Sequence, residues 1–137
     1  MCYLFKMESA KLVKKVISIC ESVPNYIDPS LCYSEYCYQN LIKQLLHQEG
    51  IFCEIEAPVY FRTKCNLNFG WGKIDILIRG KTQIIIIELK ANVRSYLKAE
   101  KQLQRYLVHF ESTLPKVGLL FLYNSMERLP IIKKVLV

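Results

Sequence analysis

Three residues in the middle of the chain stand out for their type and spacing: Asp75, Glu88 and Lys90. Asp75 interrupts the apolar run Ile74-Asp-Ile-Leu-Ile78, and Glu88 directly follows four isoleucines, Ile84 to Ile87. A buried, unpaired carboxylate is costly, so it comes with a cation, a metal or a raised pKa. Arg79-Gly-Lys81 reads as a tight turn, which makes residues 73–79 and 82–89 an antiparallel hairpin able to bring Asp75 and Glu88 together on one face. Lys90, two residues beyond Glu88, points to the same side of its strand. Two carboxylates beside a lysine suit a divalent ion with oxygen ligands. Magnesium takes one or two carboxylates and completes its shell with water and phosphate oxygens, and the Leu89 carbonyl is a natural further ligand. Such an ion would polarise a phosphodiester and activate water, with Lys90 holding that water or neutralising charge on the phosphate. The same residues also allow a plainer account, in which Lys90 forms a structural salt bridge with Glu88 or Asp75 at a strand end.

The elements that must position these groups follow from periodicity. Residues 8–21 place Leu12, Val16, Ile17 and Cys20 on one helical face and Lys11, Lys14 and Lys15 elsewhere. A loop containing Pro24, Asn25, Asp28 and Pro29 precedes a second helix at about 31–49, capped by Ser30 or Ser34 and ended by Gly50. Its apolar stripe is Tyr38, Leu41, Ile42, Leu45 and Leu46, and Glu35 falls at the edge of that stripe, where core meets solvent. From Ile51 the period becomes that of a strand, which Pro58 demotes to an edge or bulged one. Residues 63–72 read as a loop or hairpin connection, and Ile84–Leu89 as a central strand covered on both faces. Residues 91–112 return to helical period with Tyr96, Leu103, Leu107 and Phe110 inward and Lys98, Lys101 and Arg105 outward. Val117–Tyr123 is a further buried strand and Ile131–Val137 the last. The order is α-α-β-β-β-α-β-β, and a helix crossing between the strands at 82–89 and 117–123 makes that pair parallel. The fold class is α/β with a mixed sheet, in one domain.

Composition sets the outer bounds. The chain has 137 residues, 52% of them hydrophobic and 23% charged, which suits one globular domain with a real core. Net charge is +7, which favours a polyanionic partner such as nucleic acid. The six cysteines form no CxxC pair and no zinc-finger spacing, so reduced, partly buried thiols in a reducing compartment are expected. Lys6 and Glu8 break the N-terminal apolar stretch as a signal peptide would not, and no run is long enough to span a membrane. An intracellular protein without membrane attachment is expected.

Taken together, Asp75 and the Glu88-Leu-Lys90 triplet resemble the PD-(D/E)XK nuclease superfamily, and the wider chain is similar to its GxxExxY subfamily. The segments that carry the likeness are Cys32-Tyr-Ser-Glu35-Tyr-Cys-Tyr38, Gly50-Ile51 with Glu56 and Pro58, Gly72-Lys-Ile-Asp75, Glu88-Leu-Lys-Ala91, Gln102-Leu-Gln-Arg-Tyr106 and Val117-Gly-Leu-Leu120. The likeness covers about residues 30–137 and leaves residues 1–29 outside it. Cys32 replaces the subfamily's Gly, and Ile74 stands where a Pro is usual before the Asp.

The resemblance implies a restriction-endonuclease-like core and a DNA-hydrolysing enzyme using Mg, with Mn as a substitute. In it Asp75 and Glu88 bind the metal, Lys90 is catalytic, and Glu35 is an auxiliary acid nearby. Gln102 and Tyr106, one helical turn apart between the apolar and basic faces, suit contact with phosphate or with Lys90. The alternative for Tyr106 is a ring covering the helix edge. Lys98, Arg105, Lys101 and Arg94 are candidates for a DNA track. Without a separate recognition domain, specificity must come from a protein partner, a homodimer or DNA shape. A second function class stays open: a silent module that keeps the fold and binds nucleic acid or protein. His47 and His109 match no ligand spacing, and Trp71 reads as a core cover that could otherwise stack on a base.

Overall fold

The computed structural model describes residues 2–28, 30–91, 96–123 and 131–135, with side chains for all of these except 2–7 and 131–133. Helix α1 spans Cys2–Glu21 and α2 spans Glu35–Gln48, with a short 3-10 turn at Val23–Asn25 between them. Strands β1 (Glu54–Arg62), β2 (Asn68–Arg79) and β3 (Ile84–Lys90) follow, then α3 (Tyr96–His109), β4 (Lys116–Leu122) and β5 (Ile131–Val135). The expected order of helices and strands holds. The five strands lie side by side in sequence order, antiparallel except for β3 and β4, which run parallel across the α3 crossover. Pro58 sits, as expected, in the edge strand β1.

Both faces of the sheet are covered, which explains the isoleucine run. Ile85, Ile87 and Leu89 pack under α1 and α2, while Ile84 and Ile86 pack against α3. By the same alternation Glu88 turns to the α3 side. Among the described residues no helix is long and apolar enough to cross a membrane.

Several boundaries differ from the sequence reading. The first helix starts at Cys2, not at residue 8. Helix α2 starts at Glu35, where the Ser34 hydroxyl caps it by accepting from the Cys37 N–H, and it ends in the left-handed Gly50 (φ 75°). Residues 68–72 are strand and not loop. The glycines there are packing positions: a Cβ on Gly72 would lie 2.7 Å from the Tyr106 ring. Helix α3 ends at His109, short of Ser112. Arg94 and residues 136–137 lie outside the described residues. Of the described cysteines, Cys20 is buried and Cys53 half-buried, while Cys32, Cys37 and Cys65 are exposed.

One irregularity decides where the site falls. In a regular strand residues two apart share a face, yet Ile76 packs under α2 and Ile74 against α3. The neighbouring strand does the same: Ile55 belongs to the α1–α2 side and Ala57 to the α3 side. The residues between them, Asp75 and Glu56, fall between the Ile55–Ile76 and Ala57–Ile74 pairs and are not themselves paired, and Glu56 takes a left-handed φ of 54°. Both strands change face at one rung. Left-handed backbone costs a non-glycine residue about 1–2 kcal/mol and is worst for a β-branched one. Glu56→Gly is therefore expected to hold or raise stability, and Glu56→Ile to lower it by about 1–2 kcal/mol, read from urea midpoints. Equal midpoints for the two variants would show that Glu56 does not sustain the change of face.

Candidate active site

The β2–β3 ladder ends at the Ile76–Ile87 pair, one rung before Asp75 would meet Glu88. There β2 parts from β3, and the Asp75 side chain closes the gap: the Leu89 N–H donates to Asp75 Oδ2 at 2.8 Å. The Lys90 carbonyl accepts from Tyr123 N–H at 2.8 Å, on the β4 side. Backbone groups alternate along a strand, so the N–H and C=O of Leu89 both head toward β2. The Leu89 carbonyl thus faces the same gap as the Asp75 carboxylate.

Glu88 lies on the adjoining rung and is only 2% exposed; its Oε2 is buried with no hydrogen-bond partner among the described residues. Burial, then the nearby Asp75 charge, push its carboxyl up to about 8, against the pull of Lys90. Burial likewise raises Asp75, partly offset by the Leu89 N–H and Lys90. The Lys90 ammonium lies 3.6 Å from Glu88 Oε1 and 3.8 Å from Glu35 Oε2. Glu35 Oε1 also accepts from the Ala91 N–H at 3.4 Å, which ties the first residue of α2 to the end of β3. The structure therefore brings Glu35, Asp75, Glu88 and Lys90 together, with the Leu89 carbonyl beside them.

Two positions went unread in the sequence. Gln39, buried one turn after Glu35, donates through Nε2 to the Asp75 carbonyl oxygen at 2.7 Å and holds the rung at which the strands change face. The only signal for it was a polar residue four positions from Glu35. Glu56 is the second, hidden because a left-handed residue leaves no mark in an alternating pattern. Tyr38 is a packing residue, stacked on Tyr123 with ring centroids 4.5 Å apart.

The α3 residues divide. Tyr106 is buried beneath Gly72, with its hydroxyl accepting from Gln102 Nε2 at 2.5 Å. Burial first, then the Glu88 and Asp75 charges, raise its pKa. Gln102 is half-buried, whereas Lys98, Lys101 and Arg105 are exposed on the outer face. Trp71 corrects the sequence reading: it does not cover the core but is 58% exposed. His47 and His109 make local contacts with the Cys53 and Arg62 N–H groups.

Among the described residues no group of three or more His, Cys, Asp or Glu clusters as metal ligands. What the gap offers is two carboxylates, one of them with an orphaned buried oxygen, and a backbone carbonyl. That donor set fits magnesium, which keeps several waters, better than zinc or a full calcium cage.

A mixed sheet between helices, with an acid pair and a lysine where two strands part, defines a restriction-endonuclease-like α/β protein. The family model of the PD-(D/E)XK nuclease superfamily matches residues 10–135, and the chain belongs to that superfamily. The match begins inside α1, so it takes in much of the segment that the sequence likeness had left out. No curated protein matches the chain.

The raised carboxyls give a stability signature. In metal-free protein, Glu88 binds its proton up to about pH 8 when folded but releases it near 4.5 when unfolded. The stabilisation is full below about pH 4.5 and is lost as pH rises through about 8, with Asp75 acting in the same direction. Glu88→Gln, which imitates the protonated side chain, is expected to flatten this slope and raise the melting temperature at pH 8 in EDTA by about 4 °C or more. A wild-type melting temperature that climbs from pH 5 to pH 8 in EDTA would contradict the burial of an uncompensated carboxylate.

Proposed function

We propose that the chain is a divalent-metal-dependent nuclease that hydrolyses phosphodiester bonds in DNA. The observation that carries this reading is the Asp75–Glu88 pair, with Glu88 Oε2 buried and unpartnered among the described residues. Lys90 approaches only one oxygen of Glu88, and a lone ammonium is a poor answer to two carboxylates. Membership of a nuclease superfamily supports the same conclusion.

Asp75, Glu88 and the Leu89 carbonyl would hold magnesium or manganese. Bound there, the ion would polarise the scissile phosphate and lower the pKa of an attacking water. Lys90 is the residue to orient that water and to meet negative charge on the phosphate oxygens, since its ammonium has three donors. Glu35 keeps the Lys90 ammonium extended toward the gap and fixes the end of β3 through the Ala91 N–H. Gln102 and the exposed cations Lys98 and Arg105 line the approach from α3, and Tyr106 supports Gln102 from beneath. The GxxExxY likeness fits this assignment, because it is Glu35 and Tyr38 that brace α2 against the strands.

Plasmid and single-stranded circular DNA incubated with Mg2+ or Mn2+ test the proposal. Cleavage is expected with either ion, none in EDTA, and a loss of about 100-fold or more for Lys90→Ala. Equal digestion by wild type and Lys90→Ala would refute the assignment. Salt-sensitive DNA binding without turnover would instead indicate a silent binding module.

A further inference from the structure

Beyond the rung where the strands change face, the outer side of the β1–β2 hairpin carries two aromatic rings. Tyr60 and Trp71 are cross-strand partners, 48% and 58% exposed. Lys73, whose partner is Pro58, extends its ammonium to 5.9 Å from the centre of the Trp71 ring. These residues share one face. The opposite face of the hairpin, with Ala57, Val59 and Ile74, packs against α3. Helix α2 covers this side of the sheet only as far as Asp75, and neither Tyr60, Trp71 nor Lys73 belongs to the core beneath it. An indole and a phenol side by side in water, on a strand that leads to the acid pair, are an apolar surface without an internal use.

We infer that this face is a stacking platform for unpaired bases, so that the strand delivered to the Asp75–Glu88–Lys90 gap is single-stranded DNA. The inference rests on the nuclease reading above and names its substrate class. Trp71 lies four residues from Asp75, about 13 Å along β2, and Lys73 lies about 7 Å away on the same path. A strand with one base on Trp71 would pass Lys73 and meet the gap between β2 and β3 from the face opposite α3, across from Gln102, Lys98 and Arg105. The charges suit a polyanion: Lys73 and Lys64 form no ion pair with another described residue, while Arg62 pairs with Glu111. Duplex DNA keeps its base faces stacked internally and offers this surface only phosphates. Unpaired bases of any sequence offer a ring face, and aromatic platforms combined with cations bind them without sequence preference.

Trp71 is the chain's one tryptophan, so its fluorescence reports the event directly. The Lys90→Ala chain in EDTA, where no cleavage is expected, is titrated with a 15-nucleotide oligothymidylate and with a blunt duplex. Saturable quenching by the oligothymidylate is expected. Trp71→Ala and Tyr60→Ala, introduced into the same background, should each lower affinity for it by roughly tenfold or more, as read by anisotropy of the labelled oligonucleotide. Both should change duplex affinity less than about twofold, and Trp71→Phe should retain most of the single-strand affinity. Circular-dichroism melts establish that the variants fold. Binding without quenching, or equal loss on single strand and duplex, would overturn the platform. So would a self-association abolished by Trp71→Ala with single-strand affinity unchanged, which would make the face a protein contact. Binding is read here without cleavage, so a failed platform leaves metal-dependent cleavage standing. A failed nuclease reading, conversely, would show as binding and quenching without turnover in the wild type.

Discussion

A carboxylate at the end of four isoleucines, with one oxygen sealed from water and from every donor among the described residues, has nowhere to spread its charge. That is the situation of Glu88, and the rest of the site is arranged around it. Asp75 makes it worse by bringing a second acid to the next strand, and Lys90 eases it only on one side. Left without a cation, the pair must take up protons, and the elevated pKa values express that demand. A divalent ion held by Asp75 and Glu88 would supply the missing positive charge and stabilise the folded chain by its binding.

The geometry that permits this comes from backbone, not from side chains alone. Had β2 stayed regular, Asp75 would have paired with Glu88 in the ladder, leaving no gap for a ligand. The change of face at Asp75 and Glu56 lets the strands part while their hydrogen bonds are replaced by side-chain ones, from Gln39 to the Asp75 carbonyl and from the Leu89 N–H to the Asp75 carboxylate. The same switch sends the distal hairpin over α3, where Gly72 admits the Tyr106 ring. One local irregularity thus opens the gap, seats α3 beside it and turns Tyr60 and Trp71 to solvent.

Much of this was legible before the structure. The order of elements, the parallel β3–β4 pair and the edge position of β1 follow from period, from the length of the crossover and from Pro58. Asp75, Glu88 and Lys90 declare themselves because charge inside an apolar strand demands a reason, and Glu35 does so because it sits at the border of its stripe. What escaped was anything that depends on departures from regularity. A left-handed Glu56 looks like any strand residue, and Gln39 looks like a border polar group. Gly70 and Gly72 suggest a loop, although a strand pressed against an aromatic ring needs the same residue. Trp71 was assigned to the core because an indole is apolar, but alternation put it on the face that α2 does not reach.

The central claim is that the gap between β2 and β3 is built to hold a cation. Anomalous scattering from a crystal soaked in Mn2+ tests it most directly. The expected result is one peak bounded by Asp75, Glu88 and the Leu89 carbonyl, with Lys90 drawn away from Glu88. No peak there, with the Lys90 ammonium lodged between the two carboxylates, would contradict it and leave a salt bridge in place of a metal site.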